Sequence, residues 1–162
     1  MGTEAKLLMN QIIFEPGLVT VGIDAADRRQ AILATAKPLL DAGYVHPSYP
    51  NAVCQREQVF STGLELYDCF VAIPHTDAVH VKQSAIAIGR LREPVPFCLM
   101  GEPDRQGAVR LLVMLAICDP SMQIDVLGRL MDLFQTEGAV NSLLGAASAA
   151  ALAARFTALM EA

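Results

Sequence analysis

Val109-Arg110-Leu111-Leu112-Val113-Met114-Leu115-Ala116-Ile117-Cys118, stopped by Asp119-Pro120, contains the longest unbroken apolar run of the chain, the eight residues from Leu111. A segment apolar at successive positions has no solvent face. It reads as a strand buried on both sides at the centre of a sheet. It is far too short for the roughly 20 residues that cross a membrane as a helix. A sheet buried on both faces needs helices on both, which implies a three-layer α/β domain. Beyond the break, Ser121 is expected to cap a helix with Leu127, Leu130, Met131 and Phe134 on one stripe. A weaker helix is expected over 140–144. A last one is expected from Ser148, burying Leu152, Phe156, Leu159 and Met160.

The same reading extends upstream. Ser84 to Leu91 sets Ala85 and Ala87 against Ile86 and Ile88 and reads as a strand. Phe70-Val71-Ala72-Ile73 is a β run stopped by Pro74, and 97–100 and 11–14 read as short strands. Asp24 is expected to cap a helix carrying Ile32, Ala36, Leu39 and Leu40, kinked or broken at Pro38 and ended by Gly43. His46-Pro47 reads as a turn, Ser48 as the cap of a helix reaching Glu57 or Gln58, and Ser61-Thr62-Gly63 as a second turn. Several connections are short enough for hairpins, so a mixed β-sheet flanked by helices is expected. No repeat, linker or composition break interrupts the chain, and a single domain over 1–162 is the expectation.

Composition narrows the function classes. Of 162 residues, 53% are hydrophobic and 18% charged, and the mean hydropathy is +0.38, as in a globular domain and unlike a disordered chain. A net charge of −5 disfavours nucleic acid, which needs clustered cations, and suits a basic partner surface. The N-terminus has no basic region leading into an apolar core and a cleavage site, so a cytoplasmic chain without membrane insertion is expected. Cys54, Cys69, Cys98 and Cys118 form no C-x-x-C pair and read as free buried thiols.

Chemistry concentrates in Val71-Ala72-Ile73-Pro74-His75-Thr76-Asp77-Ala78-Val79-His80. Pro74 keeps Ile73 extended, so the chain leaves an apolar strand and at once presents an imidazole. Strand ends are where α/β folds place their sites. A histidine held there is a general base, a metal ligand, a phosphoryl acceptor, or a group that merely satisfies nearby backbone. The chain has only three histidines and no H-E-x-x-H pattern, which disfavours a metal site. No nucleophile elbow supports a serine triad.

Residues 70–85 resemble the active-site segment of enzyme IIA of the phosphoenolpyruvate-dependent sugar phosphotransferase system, mannitol/fructose class. The resemblance rests on Ala72-Ile73-Pro74-His75, on Arg56-Glu57 and on Ser61-Thr62-Gly63, and it extends to both ends of the chain. The segment between Gly63 and Val71 is longer than in mannitol-type members, and His80 is not typical of them. Both features are similar to the galactitol-type branch.

The resemblance implies that His75, through Nε2, takes a phosphoryl group from phospho-HPr. It then passes the group to a cysteine of a cognate enzyme IIB working with a membrane IIC, and needs no cofactor. The other ring nitrogen would be held by a backbone carbonyl or similar acceptor. Arg56 would neutralise phosphoryl charge and Thr62 would donate its hydroxyl. Where mannitol-type members carry a second histidine, this chain has Gln123, and His80 is the other candidate for that role. Asp77 is expected to cap a short helix, and His46 to be a turn residue. Phe60, Leu64, Leu66 and Tyr67 are expected to form an apolar collar. The alternative implication is a regulatory domain, of nitrogen-phosphotransferase or transcription-regulator type, whose phosphohistidine controls a binding partner.

Overall fold

The computed structural model describes residues 2–162. Its centre is an antiparallel hairpin of two long strands, β4 (Ala85–Leu99) and β5 (Glu102–Ala116), turned at Gly101. β1 (Val19–Ile23) runs parallel to β4, and β3 (Phe70–Ala72) runs parallel to β5. β2 (Gly63–Glu65) is antiparallel to β3, and its Gly63 also meets Leu99 at the hairpin tip, so the sheet curls back on itself. The sheet is mixed, as expected.

The period of β5 divides two cores. Leu111, Val113, Leu115 and Ile117 face α1 (Gly2–Asn10), α4 (Pro120–Gln135), α5 (Ala139–Leu144) and α6 (Ala149–Glu161). Leu112, Met114 and Ala116 face α2 (Arg28–Asp41) and α3 (Tyr49–Val59). β4 alternates with it: Ile86 and Ile88 join the first core, Ala85 and Ala87 the second. Helices on both faces give the three layers expected. Two arginines tie helix ends to this frame. Arg90 of β4 donates to the carbonyls of Leu143, Leu144 and Ala146 at the end of α5. Arg129 of α4 donates to those of Met160, Leu159 and Ala162 at the end of α6. Each places a cation where a helix dipole is negative.

Several local expectations are corrected. Residues 11–14 form no strand beyond the bridge of Ile13 to Ala85, and the first true strand is β1. Asp27, not Asp24, caps α2, accepting from the Gln30 amide, while Asp24 pairs with Arg92. α2 continues through Pro38 to Asp41, giving up the one bond that a Pro38 N–H would donate to the Ala34 carbonyl; Gly43 then follows at φ +80°. Asp119, not Ser121, caps α4, with Pro120 at its first position. The strands at 84–91 and 97–100 are one strand, bent at a register shift between Arg90 and Val95. Of the cysteines, Cys54 is buried, Cys69 and Cys98 partly so, and Cys118 is exposed. Ser148 does cap α6, accepting from the Ala151 amide.

Among the described residues, no helix is long and apolar enough to cross a membrane. No cluster of three or more His, Cys, Asp or Glu there could hold a metal.

Candidate active site

β3 and β5 run parallel, and their alignment continues one step beyond β3. The Leu115 amide donates to the Pro74 carbonyl at 3.1 Å, and His75 bridges to Leu115. Pro74, itself buried, needs no donor there and keeps the chain extended. His75 is thus carried to the carboxyl end of the sheet on a rigid support. It lines a cavity of about 470 Å³ with Arg56, Phe60, Thr62, Leu99, Met100, Leu127 and Met131 among its neighbours.

The ring's orientation follows from one contact. His75 Nδ1 lies 2.7 Å from the Ile73 carbonyl oxygen. A carbonyl only accepts, so Nδ1 carries the hydrogen and Nε2 keeps a lone pair. Burial holds the His75 pKa below the ordinary histidine value, and the Arg56 cation adds to that; the Ile73 hydrogen bond and the Asp77 carboxylate oppose it. The ring is neutral at pH 7 and carries a nucleophilic nitrogen.

Arg56 ends α3 beside the cavity. Its guanidinium stacks on the Phe60 ring, 4.9 Å from the centroid, and its Nη1 lies 3.4 Å from Asp77 Oδ1. Asp77 therefore occupies the cap position of the short turn 78–80 without a side-chain cap bond, contrary to expectation, because its carboxylate faces Arg56.

Glu57, one residue along, points inward. It is 2% exposed and accepts from both the Thr62 amide and the Thr62 hydroxyl, each at 2.7 Å. Burial raises its pKa, and the two Thr62 bonds pull against that rise. This pair clamps the turn joining α3 to β2, and Gly63 then passes so close to the hairpin tip that a Cβ there would sit 2.6 Å from the Cys98 carbonyl oxygen. The Thr62 carbonyl in turn accepts from the Ile73 amide at 3.4 Å. Thr62 thus lines the cavity, but its single hydroxyl hydrogen is committed to Glu57. The expected donor role is not open to it in this arrangement.

The remaining candidates lie differently. His80 does not line the cavity. Its Nδ1 is 2.8 Å from Ser48 Oγ at the other end of α3, which also explains why Ser48 makes no cap bond. In this arrangement the ring is engaged with Ser48 and pins the segment after His75 to the start of α3. His46 is exposed, and its amide donates to the His80 carbonyl. Gln123 sits in the first turn of α4, four residues before Leu127, which lines the cavity. Gln123 itself does not line it, yet its Oε1 is buried without a hydrogen-bond partner among the described residues. Of the expected collar, Phe60 is at the cavity mouth. Leu64, Leu66 and Tyr67 instead line a separate cleft of about 830 Å³, which meets the first at Met131.

Sequence reasoning missed the Glu57–Thr62 clamp and the Arg56–Asp77 pair. The first had a signal: a carboxylate at a helix end five residues before a Thr-Gly turn. The second joins residues 21 apart through the fold alone.

Comparison with known proteins gives a consistent result. The family model of the phosphoenolpyruvate-dependent sugar phosphotransferase system, EIIA 2, matches residues 12–158. The galactitol-specific EIIA component of the phosphotransferase system of Escherichia coli K12 is 33% identical over 126 residues, covering 78% of this chain and 83% of that one. Enzyme IIA of mannitol from Escherichia coli, solved in complex with phosphorylated mannitol enzyme IIB, superimposes with a TM-score of 0.70 at 21% identity, covering 92% of this chain and 97% of that one. The nitrogen regulatory protein IIA-Ntr of Neisseria meningitidis gives a TM-score of 0.69 at 23% identity, covering 95% and 99%. At these identities the two structures are alike in fold.

Proposed function

The chain belongs to the EIIA 2 family of the phosphoenolpyruvate-dependent sugar phosphotransferase system, and from that premise we propose that His75 is the residue that carries its phosphoryl group. The family makes the chain a phosphotransferase with a phosphohistidine intermediate. The observation that supports His75 is the 2.7 Å bond from Nδ1 to the Ile73 carbonyl, which leaves Nε2 as the nucleophile in a cavity shared with Arg56.

Transfer then runs in two steps. The Nε2 lone pair attacks phosphorus on the phosphohistidine of HPr. The Nε2–P bond forms, the N–P bond of HPr breaks, and its electron pair returns to the HPr ring. The His75 ring gains positive character, with the Nδ1–H still held by Ile73. In the second step a cysteine thiolate of enzyme IIB attacks phosphorus, and the pair of the breaking Nε2–P bond restores neutral imidazole. A neutral ring is needed at the start, and the lowered pKa supplies one at pH 7. Arg56 offsets charge on the phosphoryl oxygens, and positioning does most of the rest.

Val59, Phe60 and Met100 are exposed apolar side chains at the cavity mouth, suited to modest, transient docking of both partners. A galactitol-like polyol is the substrate class that the 33% identity supports. The experiment is intact mass after mixing the chain with phosphoenolpyruvate, enzyme I and HPr. One acid-labile phosphoryl adduct on wild type and none on His75→Ala supports the carrier. No adduct, with enzyme I and HPr active on a control acceptor, refutes it. An adduct that no enzyme IIB removes would favour the regulatory alternative.

A further inference from the structure

The segment after His75 lies along α3 and is fastened to it at two places. Near its C-terminal end the His80 ring meets Ser48, and near its start Asp77 meets Arg56. The first bond is short at 2.8 Å; the second is long at 3.4 Å, with 76% of the Asp77 side chain exposed. The second fastening is therefore the looser. Its cation is also the one that shares a cavity with the acceptor ring, since Arg56 and His75 line the same cavity and Asp77 does not.

Resting on the phosphocarrier reading, we propose that Asp77 is a positioning residue: it holds Arg56 while His75 is empty and surrenders it to the phosphoryl group, thereby setting the phosphoryl-transfer equilibrium. A phosphoryl group carries close to two negative charges and three acceptor oxygens. A single exposed carboxylate holds a cation weakly, and Arg56, whose guanidinium carbon lies 4.9 Å from the Phe60 ring centre, reaches Asp77 through one nitrogen only and keeps its other N–H donors for a second anion. Whatever Asp77 contributes to the empty state is missing from the phosphorylated one. Only such a difference between states moves an equilibrium. A carrier must release its cargo as readily as it takes it, and a competing carboxylate keeps the phosphohistidine from becoming a sink.

The test compares wild type with Asp77→Asn. Each is equilibrated with HPr and phospho-HPr at fixed ratios, and phosphorylated chain is read by intact mass. Asp77→Asn is expected to shift the equilibrium about twofold to fivefold toward the phosphorylated chain, the reach of one exposed ion pair. The Arg56 Nε–H resonance is the second readout. It should differ between the two proteins when unphosphorylated and converge once both are phosphorylated. An unchanged equilibrium, or resonances that coincide before phosphorylation or still differ after it, overturns the inference. Wild type that accepts no phosphoryl group at all brings down the carrier reading and this inference with it, whereas normal uptake by both proteins at the same equilibrium brings down the inference alone.

Discussion

Replacing Thr62 by Val keeps the side-chain shape and removes one hydroxyl, so its effect isolates the clamp behind the site. Thr62 is 3% exposed and Glu57 2%, and water does not replace the lost bond at such depth. The carboxylate keeps the Thr62 amide at 2.7 Å and loses the hydroxyl at 2.7 Å. A hydrogen bond to a charged group contributes about 1.5–3 kcal/mol, and about 2 kcal/mol is expected here. For a chain of this size that lowers Tm by about 4–8 °C. The sign with pH is also fixed. The two Thr62 bonds lower a Glu57 pKa that burial has raised, so losing one raises it further. A folded-state pKa above the unfolded value gives stability that is lost as pH rises through it. The Thr62→Val penalty should therefore be larger at pH 8 than at pH 5, measured by urea unfolding with circular dichroism. Thr62→Ser keeps the hydroxyl and should lose under about 1 kcal/mol. Equal losses for Val and Ser, or a Val penalty that shrinks as pH rises, would refute the clamp.

Other outcomes follow from the same geometry. The His75 ring should titrate below 6.5 in a proton–nitrogen NMR series, and Arg56→Gln should move its midpoint up while Asp77→Asn moves it further down, because the two charges act in opposite directions. Phosphoryl uptake should accordingly fall as the ring protonates, with a midpoint below pH 6.5; a midpoint at or above 6.5 would contradict the buried, neutral imidazole. Gly63→Ala forces a methyl against the Cys98 carbonyl and should cost about 1–3 kcal/mol in chemical denaturation, with a neutral result ruling out the close approach. Arg90→Leu removes three bonds to the end of α5 and should cost about 1.5–3 kcal/mol, with faster amide exchange in residues 139–144 than elsewhere in the protein.

What could be read from sequence tracks how local its physical cause is. The unbroken apolar run of β5 marked it as buried on both faces, and the Ile/Ala alternation of β4 separates the two cores as found, because side chains on a strand must alternate. Gly43 and Ser148 were readable because helix ends have their own chemistry. The stretch of β4 between Leu91 and Phe97 was not readable, because Arg92-Glu93-Pro94 and Pro96 look like loop. They are strand because β5 pairs with residues 95–98 and burial alternates along them: Val95 and Phe97 enter the second core, while Pro94 and Pro96 face solvent. β1 was hidden for a similar reason: it is an edge strand with Gly22 at φ +70° beside its end. At the site, the rigid presentation of His75 by Pro74 was legible. The bonds of Ser48 to His80 and Arg56 to Asp77 were not, since they depend on where α3 lies against the segment it holds.

The most direct measurement of the account is NMR of the phosphorylated chain, with nitrogen-15 in its histidines and phosphorus detected by scalar coupling. Phosphorus is expected on Nε2 of His75, with Nδ1 still protonated and protected by the Ile73 carbonyl. Phosphorus on Nδ1, or on His46 or His80, would contradict it.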